Sequence, residues 1–195
     1  HPVATAKAGP AQAERMGLGQ GADAEERGDD GRVGLFRQPA QGVLCPGEDH
    51  PVAGEQHRTY REALRRCGLE VVELPPDEER PDSTFVEDAA VLIGSGAMIT
   101  RPGAPSRRGE TAAIRTALRP HFPRPASIRP PGTLDGGDIC DAGQAVLIGL
   151  SERTNEEGAR QLAVWLYGRG IESRTVDIRT IPGILHLKSG IAFLG

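Results

Sequence analysis

The chain has 195 residues, a net charge of −4 and 37% hydrophobic residues, which together allow one folded domain with a tail. Nucleic-acid-binding proteins usually carry a strongly basic face, so the negative charge argues against that class and we expect no nucleic-acid partner. The longest apolar runs, such as Ala145–Leu150, are far too short to span a bilayer, so we expect no membrane association. Three cysteines, Cys45, Cys67 and Cys140, lack metal-ligand spacing and are interpreted as reduced thiols of a cytoplasmic protein.

The N-terminal part of the chain carries little fold signal. The stretch Gly17–Arg32 is rich in glycine and charge and contains a single leucine. Such a sequence cannot bury enough apolar surface to offset the entropy of ordering the chain. We therefore expect residues 1–44 to be disordered or unrelated to the rest, and residues 45–195 to form the folded domain.

A helix and a strand are predicted after residue 50. Apolar residues recur at three- and four-residue spacing over Glu55–Cys67, which predicts an amphipathic helix. Gly68 follows as a C-terminal stop, because glycine readily adopts the left-handed conformation that ends helices. The β-prone run Leu69–Leu74 then predicts a strand, which ends before two prolines.

An acidic motif, Pro-Asp-Ser-Thr-Phe-Val-Glu-Asp, occupies residues 81–88 and contains Asp82, Glu87 and Asp88. Its β-prone centre, Thr84–Val86, predicts a strand, in which successive side chains face opposite ways. At least one of Glu87 and Asp88 should then point into a cleft, where a carboxylate needs a charged or hydrogen-bonded partner. A cationic ligand would supply that partner, although the pattern equally fits a strand end with solvated acids.

Two segments of the chain repeat one order of elements: an acidic motif, a hairpin around a glycine turn, a loop with serine and arginine, a helix and a strand. Asp88 and Asp138 are 50 positions apart, a period typical of propellers or repeat arrays. The predicted elements are hairpin strands 89–93 and 97–100, helix 109–118 and strand 126–129, then hairpin strands 139–140 and 144–148, a helix to residue 169 and strand 171–176.

The helix starts and a third unit complete the predicted pattern. Ser106 is a predicted N-cap, and Thr154 with Glu157 is a predicted capping box at the start of the second helix. A third unit begins at Leu185–Ser189 and continues into a predicted strand over Ile191–Leu194. Because repeat units bury their faces only against neighbours, we expect this chain to be a fragment of a longer fold.

Repeats packed around an axis would bring equivalent hairpin starts together at one centre. Acids, two arginines and one histidine at such a centre suit a small zwitterion that carries a guanidinium and a carboxylate. Carboxylates bind a guanidinium through paired hydrogen bonds, and arginines bind a carboxylate in the same way. The residues expected there are Glu87, Asp88, Asp135, Asp138, His186, Arg107 and Arg153.

Five motifs, in this order, resemble dimethylarginine dimethylaminohydrolase over about two thirds of the chain. This resemblance implies an α/β fold of the pentein type, a five-bladed αβ-propeller of ββαβ units, with only about three blades present here. The motifs are Pro81–Asp88, Ile99–Arg108, Leu134–Asp138, Ile148–Asn155 and Leu185–Ser189.

The resemblance also implies a reaction, without metal or cofactor, that converts methylated arginines to citrulline and a methylamine. A cysteine thiolate attacks the guanidinium carbon, a histidine protonates the leaving amine, and water releases the thiouronium intermediate. Seven residues receive roles: Asp82, Glu87 and Asp88 for the guanidinium and amine ends of the substrate, Arg107 and Arg153 for its carboxylate, His186 as general acid and base, and Asp135 to orient His186.

The nucleophile and the exact activity stay open at this stage. The family's cysteine lies beyond residue 195 and none of the three cysteines matches its position, so we expect this chain alone to be inactive. An arginine deiminase or amidinotransferase relative is an alternative, although deiminases usually carry His-x-Asp where this chain has Leu-His-Leu-Lys-Ser. A catalytically dead guanidine-binding remnant is a further alternative, and the oligomeric state is open.

Overall fold

The computed structural model describes residues 33–37 and 50–193, with side chains described for 54–193. The chain divides into two compact units, residues 1–86 and 87–195, which are considered separately below. The predictions for Gly17–Arg32 and for Cys45 fall outside the described residues, so the expected boundary between residues 44 and 45 stays a prediction. Across 50–193, no helix combines the length and the apolar character that crossing a membrane requires.

The first unit contains two parallel strands and a helix. Strand β1, Val33–Arg37, pairs with β2, Glu70–Leu74, and helix α1, His50–Arg66, connects them in sequence. The helix and β2 confirm the prediction, and α1 ends before Gly68, whose φ of +79° suits the left-handed region. Strand β1 was not predicted, because its five residues follow a glycine-rich stretch and are too few to show a period.

The strand predicted over Thr84–Val86 is wrong. Two short 3₁₀ turns, Pro81–Thr84 and Val86–Ala89, occupy the acidic motif instead. Proline fixes the backbone angle that suits a first helical position, and the N–H of Phe85 donates to the carbonyl of Asp82 at 2.9 Å. Asp88 therefore reaches the first hairpin on a turn, which also buries its side chain.

The second unit contains two ββαβ modules, as the repeat predicted. In each module two antiparallel strands form a hairpin, and the strand after the helix pairs in parallel with the second hairpin strand. The first module is β3 Ala90–Ile93, β4 Gly96–Ile99, α2 Thr111–Leu118 and β5 Ala126–Ser127; the second is β6 Ile139–Asp141, β7 Val146–Leu150, α3 Glu156–Tyr167 and β8 Ser173–Asp177.

A 3₁₀ turn stands at the start of each repeat. The turn Val86–Ala89 precedes β3 of the first module, Gly136–Asp138 precedes β6 of the second, and Leu187–Ser189 stands where the sequence predicts a third repeat to begin. The strand predicted after that third turn does not form over residues 191–193. Three equivalent turns are therefore available to contribute side chains to one place.

The predicted helix caps are both wrong. Helix α3 is capped by Asn155, whose side-chain oxygen accepts from the N–H of Gly158 at 2.8 Å, so the Thr154 hydroxyl is free for another partner. Helix α2 starts only at Thr111, after a 3₁₀ turn from Pro105 to Glu110 that contains Ser106, and it has no side-chain cap.

A buried core and a backbone bridge hold the two modules together. Leu162 and Leu166 of α3 are fully buried in a core that they share with residues of both hairpins. The N–H of Leu134 donates to the carbonyl of Arg101 at 2.9 Å, so the loop before β6 is attached to the first module. A β-carbon at Gly158 would lie 1.9 Å from the carbonyl oxygen of Thr133, so only glycine permits this approach of α3. The loop that carries the second acidic motif is thereby fixed in place.

Candidate active site

The three turns bring Asp88, Asp138 and His186 to one place. This confirms the prediction that the starts of the repeats come together. The Nε2 atom of His186 lies 4.0 Å from Oδ2 of Asp88, and its Nδ1 atom lies 3.6 Å from Oδ2 of Asp138. Asp88 is attached to the second turn, because the N–H of Gly137 donates to its Oδ1 at 2.8 Å. The imidazole therefore lies between two carboxylates that come from two different modules.

His186 is mostly buried, with 15% of its side chain exposed, and its Nδ1 has no hydrogen-bond partner among the described residues. Burial lowers the pKa of an imidazole, but the carboxylates of Asp138, Asp88 and Asp135 outweigh it, so the pKa of His186 is raised. A histidine of this kind holds a proton at higher pH than a free one and can deliver it to a leaving group.

Asp135 is almost fully buried, and burial is the main reason that its pKa is raised to about 6, with the charge of Asp88 adding to the effect. Its Oδ1 accepts from the N–H of Gly103 at 2.8 Å, and its own N–H donates to Oγ1 of Thr154 at 3.1 Å. No hydrogen bond joins Asp135 to His186 in the part of the chain described, so its orienting role stays a prediction.

Asp138, rather than Asp135, makes the nearer approach to His186. Its side chain is fully buried, and burial would raise its pKa, but the neighbouring imidazole of His186 and the hydrogen bonds from Thr154 and Ser151 reverse that effect and the pKa is lowered. The sequence predicts Asp138 at the centre but assigns it no role. Its position in the repeat, equivalent to that of Asp88, was the signal for one.

Arg107 is buried between two carboxylates. Its Nη1 donates to Oδ2 of Asp88 at 2.7 Å, and its Nε and Nη2 donate to Glu110 at 3.0 and 2.8 Å. Burial lowers the pKa of a guanidinium, but Glu110 and Asp88 outweigh it, and the pKa of Arg107 is raised. Glu110 was missed by the sequence analysis, although its spacing of three from Arg107 is one at which helical side chains meet. The predicted contact of Arg107 with a substrate carboxylate stays a prediction.

The other predicted residues are placed differently. Glu87 pairs with Lys188, a residue that the sequence analysis did not assign, and both side chains are partly buried. Arg153 is half-buried, and its guanidinium makes no hydrogen bond or ion pair with residues 54–193, which leaves it open to an external carboxylate. Asp82 is exposed on the turn Pro81–Thr84 of the first unit, and its role stays a prediction.

Asp88, Asp135 and His186 could by distance hold a metal ion, since one donor atom of each lies within 4.8 Å of the others. Both oxygens of Asp88 already accept hydrogen bonds, from Nη1 of Arg107 at 2.7 Å and from the N–H of Gly137 at 2.8 Å, so Asp88 is held as a hydrogen-bond acceptor rather than as a free metal ligand. Acidic groups around a histidine and a fixed arginine suit acid–base chemistry on an organic cation better than metal ligation.

Asp135→Asn is expected to flatten the dependence of stability on pH. The pKa of Asp135 is about 6 in the folded chain against an ordinary value of 3.8, so between these pH values the unfolded chain loses the proton first. The free energy of unfolding therefore falls as pH rises through this window, by on the order of 3 kcal/mol from this group. Urea unfolding at pH 4 and pH 7 should show that fall reduced in Asp135→Asn and retained in the control Asp141→Asn.

Comparison with known sequences shows the family. The sequence pattern of the family described as arginine deiminase matches residues 78–191. The dimethylarginine dimethylaminohydrolase of Pseudomonas aeruginosa is 44% identical over 147 residues, which are 75% of this chain and 57% of that protein. The corresponding protein of Streptomyces coelicolor is 42% identical over 168 residues, which are 82% of this chain and 64% of the relative. The chain thus spans less than two thirds of the length of these relatives.

Solved structures agree with the sequence comparison. The Pseudomonas aeruginosa dimethylarginine dimethylaminohydrolase with a cysteine-to-serine substitution, complexed with citrulline, has a TM-score of 0.76 and 40% identity and covers 84% of this chain and 66% of its own. The substrate-bound N-terminal domain of a cyanobacterial arginine dihydrolase has a TM-score of 0.61 at 19% identity, over 73% of this chain and 56% of its own, which shows the fold alone. The chain therefore has the pentein fold, belongs to the arginine deiminase family, and is similar to the dimethylarginine dimethylaminohydrolases within it.

Proposed function

We propose that this chain supplies the substrate-binding and acid–base residues of a hydrolase that converts methylated arginines to citrulline and a methylamine. The observation that carries the proposal is the buried histidine, His186, held between the carboxylates of Asp88 and Asp138. Such an imidazole is placed to protonate an amine that leaves a guanidinium bound to the same acids. The similarity to dimethylarginine dimethylaminohydrolases supports this choice of substrate class.

The two ends of the substrate have separate partners. Asp88 and Glu87 receive the methylated guanidinium through charge-assisted hydrogen bonds, and Asp82 receives the amine end. Arg153, whose guanidinium has no ionic partner among the described side chains, receives the substrate carboxylate, with Arg107 as a second contact. Asp135 orients His186.

The chemistry requires a thiolate that forms a bond to the guanidinium carbon. The C–N bond to the methylated nitrogen then breaks as His186 gives its proton to the leaving amine, and water cleaves the C–S bond to release citrulline and the thiol. Cys140 does not fit the nucleophile, because it is buried beside Ile178 and Leu187 and burial raises the pKa of its thiol. None of the three cysteines lies where the resemblance places the nucleophile, so we predict that this chain alone binds the substrate without turning it over.

Calorimetric titration of the chain with asymmetric dimethylarginine tests the proposal. Binding is expected for the unmodified chain, and Asp88→Asn should weaken it by about 10- to 100-fold, the value of one or two charge-assisted hydrogen bonds. Asp141→Asn, which removes the same charge from the outer end of β6, should bind like the parent. No detectable binding by the folded parent chain, or equal binding by all three, would contradict the proposal.

Arginine itself is the alternative substrate, since the matching family pattern is that of arginine deiminase. A deiminase releases ammonia from an unmethylated guanidinium by the same thiouronium route. Leu-His-Leu-Lys-Ser at residues 185–189 favours the methylated substrate, because deiminases usually carry His-x-Asp there. Tighter binding of arginine than of dimethylarginine in the same titration would select the deiminase.

A further inference from the structure

Asp138 accepts hydrogen bonds from two separate segments of the second unit. Its Oδ2 accepts from the hydroxyls of Ser151 at 2.7 Å and Thr154 at 2.6 Å, and its Oδ1 accepts from the N–H of Leu187 at 3.0 Å. The carboxylate is fully buried, and its Oδ2 lies 3.6 Å from Nδ1 of His186. A carboxylate can be buried at this depth only when such donors replace water.

The hydroxyls that bind Asp138 also accept hydrogen bonds from backbone N–H groups of two loops. Because Ser151 donates its hydroxyl hydrogen to Asp138, its oxygen accepts from the N–H of Arg153 at 2.9 Å and from that of Thr154 at 3.1 Å. The hydroxyl of Thr154 in the same way accepts from the N–H of Asp135 at 3.1 Å. One carboxylate is thus connected to the backbone at Arg153 and Asp135 as well as beside His186.

Gly149 leaves room for the Asp138 carboxylate because it has no side chain. A β-carbon at Gly149 would lie 3.2 Å from Oδ1 of Asp138 and 2.8 Å from Cβ of Leu187. Strand β7 therefore leaves room for the Asp138 carboxylate to meet the N–H of Leu187, next to His186 in the chain. The three donors all lie at hydrogen-bond distance from the carboxylate, between 2.6 and 3.0 Å.

We propose that Asp138 is a positioning residue of the site, which fixes the backbone next to His186 and the loop that carries Arg153 relative to each other. The Leu187 N–H attaches the backbone beside His186 to Oδ1 of Asp138, and the ring then lies with Nδ1 3.6 Å from Oδ2 of Asp138 and Nε2 4.0 Å from Oδ2 of Asp88. The catalytic meaning rests on the proposed function, but the geometry does not.

NMR titration of His186 in the full 195-residue chain tests this assignment and requires no substrate. The carboxylates that face the ring are Asp138, Asp88 and Asp135, and the nearest cation on its own segment is Lys188. In Asp138→Asn the His186 titration should move to lower pH, and the Leu187 and Arg153 amides should exchange faster with solvent. In Asp141→Asn, a control on the strand that follows, both readouts should match the parent.

A folded Asp138→Asn variant whose His186 titration and Leu187 exchange equal those of the parent would overturn the proposal. If the variant does not fold, the parent chain decides: the side-chain carboxyl ¹³C signal of Asp138 should shift with the same midpoint as the His186 ring, and its failure to do so would overturn the proposal equally. Neither readout depends on turnover or ligand binding, so failure of the proposed function would be recognised separately, in the calorimetric titration.

Discussion

Arg107→Leu is expected to lower the free energy of unfolding by about 3–5 kcal/mol, because it leaves two buried carboxylates without their shared cation. Asp88 and Glu110 are 7% and 2% exposed, and Arg107 donates to both. Removing one member of a buried ion network costs more than the network contributes, since the remaining charges cannot reach water. Urea unfolding followed by circular dichroism measures the loss.

Arg160→Leu is the matched control for that experiment. Arg160 pairs with Glu157 at the same spacing of three residues, but its side chain is 63% exposed. Exposed pairs of this kind contribute about 0–1 kcal/mol, so the unfolding midpoint of this variant should stay near that of the parent. Equal losses in the two variants would show that the Arg107 network is not buried in solution.

Gly136→Ala is expected to separate the first two turns and to destabilise the chain by about 3 kcal/mol. A β-carbon at this position would lie 2.0 Å from the carbonyl oxygen of Glu87, a backbone atom that cannot rotate away. The turn that carries Asp138 must then move from the turn that carries Asp88, and binding of dimethylarginine should be lost with the geometry. Urea unfolding and calorimetric titration measure the two effects.

Gly168→Ala provides the comparison for this substitution. Its φ is −61°, and a β-carbon there would meet its nearest neighbour at 3.6 Å, which is an ordinary contact. Stability and binding should both stay close to those of the parent. Unchanged binding in Gly136→Ala would mean that the two turns are not in contact when the ligand is bound.

Local sequence patterns predicted the two modules because hairpins, helices and glycine stops are determined by residues close together in the chain. The acidic motif was the exception. The residues Thr84-Phe85-Val86 favour a strand, but Thr84 ends one 3₁₀ turn and Val86 begins the next. β-Propensity mainly measures how a side chain packs on a sheet, and Phe85 remains 42% exposed. Tertiary contacts, rather than β-propensity, therefore determine the backbone conformation of this motif.

The site was predictable as a set of residues but not as a set of contacts. The repeat placed Asp88, Asp138 and His186 at one centre, and the structure agrees. The pairing of Glu87 with Lys188, 101 positions away, has no local signal. No local pattern indicates either that Asp138 rather than Asp135 lies nearer to His186. That placement depends on hydroxyls from a loop that is distant in sequence, although it belongs to the same module. Such choices are made by packing.

The ion pair between Glu87 and Lys188 changes what binding means at this site. Under the proposed function, a guanidinium that reaches Glu87 must displace an ammonium that the protein itself provides. Binding is then cation exchange, and the measured affinity is the difference between two ion pairs rather than the strength of one. Neutral molecules of the same shape cannot drive that exchange, so the site selects its ligands by charge as well as by shape.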